Sequence, residues 1–174
     1  MKYIFILTIL FSLSFLSCEN KFEPPKTNYK AGEIPDQESW NSTVIFSDSG
    51  KVKAVLKAGH ISQFNAQGLT LIDSGGVVDF YKDGEVVSTL TGKKGRVIDP
   101  DKDIEMTDSV TVVSKDGSVL KTPKMYWHNK TQKVTSDAYV HIKTPKEEIQ
   151  GIGFESDQNL KNYTIFKPIG IFSQ

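Results

Sequence analysis

Residues 124–143 read KMYWHNKTQKVTSDAYVHIK, and this stretch decides the fold class. Met125 and Trp127 alternate with Lys124, Tyr126 and His128. Val140 and Ile142 alternate with Tyr139, His141 and Lys143. A period of two is the signature of a strand, because successive side chains point to opposite faces of a sheet. Met125, Trp127, Val140 and Ile142 are therefore expected on an apolar inner face, and His141 and Lys143 on the outside. His128-Asn129-Lys130 supplies a turn, and Lys133–Ser136 a further short strand.

The same grammar extends in both directions. Strands are predicted at Ser42–Phe46, Val52–Ala58, Leu69–Ile72, Val77–Tyr81, Val86–Leu90, Val110–Val113 and Tyr163–Phe166. Asp79 is expected in water, which turns Val78 and Phe80 inward. Val110 and Val112 form a similar inward pair. Asp48-Ser49-Gly50, Asp83-Gly84 and Asp116-Gly117 mark turns. Glycine takes a positive φ there at no steric cost, so Asp-Gly between β-branched runs is a hairpin signal. No stretch after Trp40 holds a helical period. Many short strands with turns between them make an all-β sandwich, barrel or roll built from antiparallel hairpins. A weak repeat supports a roll. Lys82–Thr89 resembles Lys115–Thr122, and Val97, Ile104, Val110 and Val112 fall opposite Trp127, Val134, Val140 and Ile142. Stacked hairpin units of this kind leave an open edge at each end.

The first residues carry a different message. Lys2 is followed by an apolar run, Tyr3 to Leu16, broken only by Thr8, Ser12 and Ser14. A membrane-spanning helix needs about 20 apolar residues. This shorter run suits the core of a signal peptide. It ends at Phe15-Leu16-Ser17-Cys18, which resembles a bacterial lipobox, with Phe15 in the place usual for leucine. Cys18 is the chain's one cysteine, so no internal disulfide is available, and its thiol is expected to take a lipid. Residues 1–17 are read as the signal peptide. Residues 18–39 are the lipidated cysteine and a tether, stiffened by Pro24-Pro25. Residues 40–174 are the folded domain.

Charge narrows the partners. The 174 residues hold 21 basic and 21 acidic side chains. Lys2 is the lone charge in the signal segment, so the mature chain is slightly acidic. Phosphate-backbone binding wants a basic excess, and nucleic acid is not expected as a partner. Asp99-Pro100-Asp101-Lys102-Asp103 has the alternating acids of a calcium loop but Ile104 and Val110 where that loop needs Gly and Glu. It reads as a solvated hairpin turn. His60, His128 and His141 lack metal-ligand spacing. No Gly-x-Ser-x-Gly elbow accompanies the serines, and no enzyme or cofactor is expected. Gly92-Lys93-Lys94-Gly95 lacks a Walker pattern and reads as a hairpin end, with some capacity to touch a lipid phosphate.

The order of elements in the second half resembles the LptC family of lipopolysaccharide-export proteins. The residues are Ser136–Ile142, then Ile149-Gln150 running into a Gly-x-Gly-Phe-x-Ser-Asp turn at Gly151-Ile152-Gly153-Phe154-Glu155-Ser156-Asp157, then Tyr163-Thr164-Ile165 with Pro168 and Gly170 behind. The Lys-Asp-Gly hairpin and the Met125-Tyr126-Trp127 strand also fit. The resemblance spans about Trp40 to Phe172. It implies an elongated, twisted, V-shaped β-jellyroll that is open-ended. It further implies that lipopolysaccharide arrives from inner-membrane ABC transporter subunits and leaves to a periplasmic LptA-like bridge protein. The apolar groove for the lipid would then be lined by Val78, Phe80, Val110, Val112, Met125, Trp127, Val140 and Ile142. The docking edge would be Tyr163, Thr164, Ile165 and Phe166, in a last strand that proline should end near residue 168. Familiar members hold the membrane with a transmembrane helix, whereas this chain is expected to use lipid on Cys18, on the periplasmic side of the inner membrane, with the outer membrane left open. Two alternatives remain. One is a structural or adhesive β-rich lipoprotein with a closed core and no lipid cargo. The other is the soluble bridge protein of the same pathway, against which the lipid anchor speaks.

Overall fold

The computed structural model describes residues 34–173 of the chain. The signal segment, Cys18 and most of the tether lie outside the described residues. Ten strands follow one another: β1 (Gln37–Asp48), β2 (Lys51–Phe64), β3 (Leu69–Lys82), β4 (Glu85–Gly92), β5 (Lys94–Ile98), β6 (Asp103–Ser114), β7 (Val119–His128), β8 (Lys133–Lys143), β9 (Glu147–Asp157) and β10 (Tyr163–Ser173). Every pairing is antiparallel, and the order along the sheet is the order in the chain. β5 continues β4, since both lie between β3 and β6. The topology is thus a single meander, with β1 and β10 at its two edges.

Several strands are longer than the sequence suggests, because they carry an irregularity near their middle. Leu69–Ile72 and Val77–Tyr81, predicted as two strands, are the halves of β3. Lys133–Ser136 and Tyr139–Lys143 are the halves of β8. The register shifts between Ala58 and His60, between Thr107 and Val110, between Lys121 and Tyr126, and between Ser136 and Tyr139. Ser74, Gly75, Asp108, Ser109 and Gly153 take positive φ in the same zone. These features line up across the sheet into one crease, and bulges of this kind bend strands sharply. Glycine is required at Gly59, where a Cβ would lie 2.4 Å from the Ser74 carbonyl oxygen. Backbone bonds still cross the crease: Gly75 donates to the Lys93 carbonyl at 3.0 Å, and Lys93 to that of Asp108 at 3.1 Å.

Gly92–Gly95 is therefore not a hairpin end. It is the point where a continuous strand position bends at the crease. The Gly151–Asp157 stretch, read as a turn, belongs to strand β9. The last strand also runs past Pro168 to Ser173, with a register shift between Pro168 and Gly170. An edge strand tolerates proline because one side of its backbone has no ladder to feed.

The crease folds the sheet into two leaves that face each other. Trp127 on β7 lies 5.6 Å from Phe46 on β1, edge to face, and 5.5 Å from Phe80 on β3. Strands so far apart in the sheet meet only if the sheet closes on itself. Val97, Trp127, Ile104, Val134, Val110, Val140, Val112 and Ile142, the positions paired by the weak repeat, are all buried.

Candidate functional site

The interior between the leaves is the candidate site. Val78, Phe80, Val110, Val112, Met125, Trp127, Val140 and Ile142 all belong to its core, and none is more than 1% exposed. The eight residues come together on one interior surface, with the leaves packed directly against each other. His141 points away and meets Glu148 at 2.6 Å. At the centre, Trp127 carries a buried indole N–H with no hydrogen-bond acceptor among the described residues. A buried Trp N–H usually finds a partner, and leaving one unmade costs about 1–3 kcal/mol.

Polar ties between the leaves are few. The Ser88 hydroxyl on β4 donates to the Gln158 carbonyl, and Ser114 on β6 donates to that of Asn159 at 2.8 Å. Both acceptors sit in the loop between β9 and β10, whose Leu160 is driven into the core at 1% exposure. The loop is held by Asp157, which accepts from the backbone N–H of Lys161 at 3.1 Å and from Asn162 Nδ2 at 2.7 Å. Nothing in the strand readings pointed to this loop. The available signal was serine at Ser88 and Ser114, in register with inward Leu90 and Val112.

Beside this loop, one end of the roll opens into a cavity of about 1170 Å³. Its walls come from the β1–β2, β3–β4, β7–β8 and β9–β10 turns, with Val52, Tyr81 and Val87 among the lining.

The edge residues divide by face. Tyr163 turns inward, stacks on Phe154 at 6.2 Å and donates its hydroxyl to Glu147 at 2.6 Å. Burial and the Glu147 carboxylate push its phenol well above the usual range. Ile165 also packs on the core. Thr164 and Phe166 point out, and Phe166 is 62% exposed. Phe166 lies over Gly153, where a Cβ would come within 2.9 Å of its ring and φ is +79°. β10 pairs with β9 alone among the described residues, so its other side is free.

The remaining sequence candidates resolve into local contacts. Lys102 pairs with Asp99, Lys130 with Asp101 at 2.6 Å, and His128 with Asp103 at 2.9 Å. His60 lies between Asp73 at 3.0 Å and Glu38 at 3.3 Å, under the Trp40 ring. Among the described residues no group of three or more His, Cys, Asp and Glu is placed to hold a metal ion, and no helix is long and apolar enough to cross a membrane.

No curated protein matches the chain. Among solved structures, it is similar to LptH of Pseudomonas aeruginosa, described as the LptA-homologous periplasmic component of the lipopolysaccharide transport device. The TM-score is 0.51 at 12% identity, over 70% of this chain and 93% of that one. That likeness is one of fold, and it fits the folded β-jellyroll seen here. The family described as lipopolysaccharide-assembly, LptC-related, matches residues 4–168. The match covers nearly the whole chain, and the chain belongs to the LptC-related lipopolysaccharide-assembly family.

Proposed function

We propose that this protein is a non-enzymatic carrier that takes lipopolysaccharide from an inner-membrane ABC transporter and hands it to an LptA-like bridge protein. The observation that carries the reading is the lone Trp127 N–H at the centre of an apolar interior. An acyl chain brings methylenes for the apolar walls and, at its ester or amide, a carbonyl acceptor for that donor. Each buried methylene contributes about 0.8 kcal/mol, which offsets the apolar contacts the leaves give up when they part around the chains. The family membership and the open mouth at one end support the same reading. The test is photo-crosslinking. A benzophenone side chain at Phe80, Trp127 or Ile142 is expected to capture lipopolysaccharide, whereas one at the outward His141 is not. Equal capture at His141 would contradict the assignment of faces.

The tight burial of the eight interior residues favours a second reading, a β-rich structural lipoprotein whose core stays closed. It predicts no adduct at any of the three interior positions.

The carrier is held at the periplasmic side of the inner membrane by lipid on Cys18. Support comes from Ser17-Cys18 at the end of the short apolar run. Cys18→Ser is expected to remain an unprocessed precursor and to take up no palmitate analogue in metabolic labelling. Label retained by that variant would place the anchor elsewhere.

A further inference from the structure

The open mouth of the roll has a feature that lipid carriage in general does not require. Lys51, Lys53 and Lys82 line it, and among the described residues they join no ion pair or side-chain hydrogen bond. The other charges on the rim are largely spent. Lys133 pairs with Glu155, and Asp157 is taken by the β9–β10 loop. Asp83 remains the one carboxylate on the rim without a partner among the described residues. Three free cations thus face one free anion.

Two bulges aim side chains at this mouth. Phe46 pairs with Ala54 and Ser47 with Val52, which leaves Lys53 as the extra residue of β2. Phe80 pairs with Ser88 and Tyr81 with Val86, which leaves Val87 as the extra residue of β4. Bulges re-aim side chains and gather at functional sites. Here one presents a cation and the other an apolar side chain that packs on the core. Lys82, two residues beyond inward Phe80, extends the inward row of β3 past the end of the core.

Resting on the carrier reading, we propose that this mouth is a headgroup subsite for a phosphorylated acyl lipid. Val87 forms the apolar step leading inward. Lys51, Lys53 and Lys82 hold a phosphate monoester at the rim, as ammonium groups hold a dianion without needing a fixed geometry. The chains then lie inside and the charge stays at the water boundary.

The test compares two probes with the same chains: diphosphorylated lipid A and lipid A from which both phosphates have been removed. Binding of each is measured by equilibrium dialysis in mild detergent. Exposed charge pairs are individually weak, and three together are expected to give wild type about a tenfold preference for the phosphorylated probe, shrinking with added salt. Lys51→Gln/Lys53→Gln/Lys82→Gln is expected to bind both probes at the weaker level, with an unchanged thermal melt. A control, Lys121→Gln/Lys146→Gln/Lys167→Gln, removes the same charge from exposed sites off the mouth and is expected to keep the preference. Equal binding of the two probes by wild type would overturn the subsite and leave the carrier standing. So would loss of preference in the control, or its survival in the mouth variant. Failure of wild type to bind either probe would overturn both.

Discussion

Trp127→Ala is expected to cost the domain about 3–5 kcal/mol, the usual range for removing a large buried aromatic. The indole fills the space between the leaves and touches Phe46 and Phe80 from the opposite one. Alanine there leaves a void between the leaves. For a domain of this size the loss corresponds to a fall in Tm of roughly 10–20 °C, read by circular dichroism. Trp127→Phe separates packing from the N–H. It keeps a ring and removes a buried donor that has no acceptor, so its stability should lie close to wild type. Its capture of lipopolysaccharide should nevertheless drop, because the carbonyl of the bound chain loses its partner. A Trp127→Phe variant as unstable as Trp127→Ala would show that the indole's size alone matters. One that loads lipid as well as wild type would remove the N–H from the carrier mechanism.

Thr164→Pro is expected to weaken capture of an LptA-like bridge protein about tenfold while most of the fold survives. β10 is a sheet edge with one side free, and free edges recruit strands from other chains. Thr164 pairs with Glu155 and Pro168 with Gly151, without a register shift between them. Thr164 therefore has the strand parity of Pro168, a position where β10 already does without an N–H. Removing the donor at Thr164 costs an incoming strand about one hydrogen bond, on the order of 1 kcal/mol or more. Thermal melts check the fold and a pull-down checks capture. A folded Thr164→Pro variant that captures its partner fully would move docking to another surface, with β1 at the opposite edge the first to examine.

The alternation around Trp127 and the Asp-Gly turns made the all-β class legible, because both are local properties of backbone and side chain. The faces followed too: Val78, Phe80, Val140 and Ile142 are inside and His141 is outside. The crease was not legible. Gly75-Gly76, Gly92-Lys93 and Asp108-Ser109 have the composition of turns, and a bulge that bends a strand uses the same positive-φ residues as a turn that reverses it. The sequence therefore divides β3 and β8 and presents Gly92–Gly95 as a hairpin end. Gly151–Asp157 reads as a turn because of its glycines, which the close approach of Ile165 and Phe166 explains. The meeting of Phe46 with Trp127, the plug at Leu160 and the lysine mouth depend on the sheet closing over itself. Partners across the leaves are set by that closure, and no window of sequence contains both halves of such a contact.

The scarcity of polar ties between the leaves has a thermodynamic consequence. Parting them sacrifices a few bonds, from Ser88, Ser114 and Tyr163, and otherwise exposes hydrocarbon. An acyl chain that slides in as the leaves part returns hydrocarbon for hydrocarbon, so the exchange runs close to free-energy balance. A conduit on such a balance binds no cargo so tightly that it stalls. On the proposed carrier reading, net direction then comes from whatever keeps pushing lipid in at one end and from its removal at the other, with the protein acting as a reversible solvent for chains in transit.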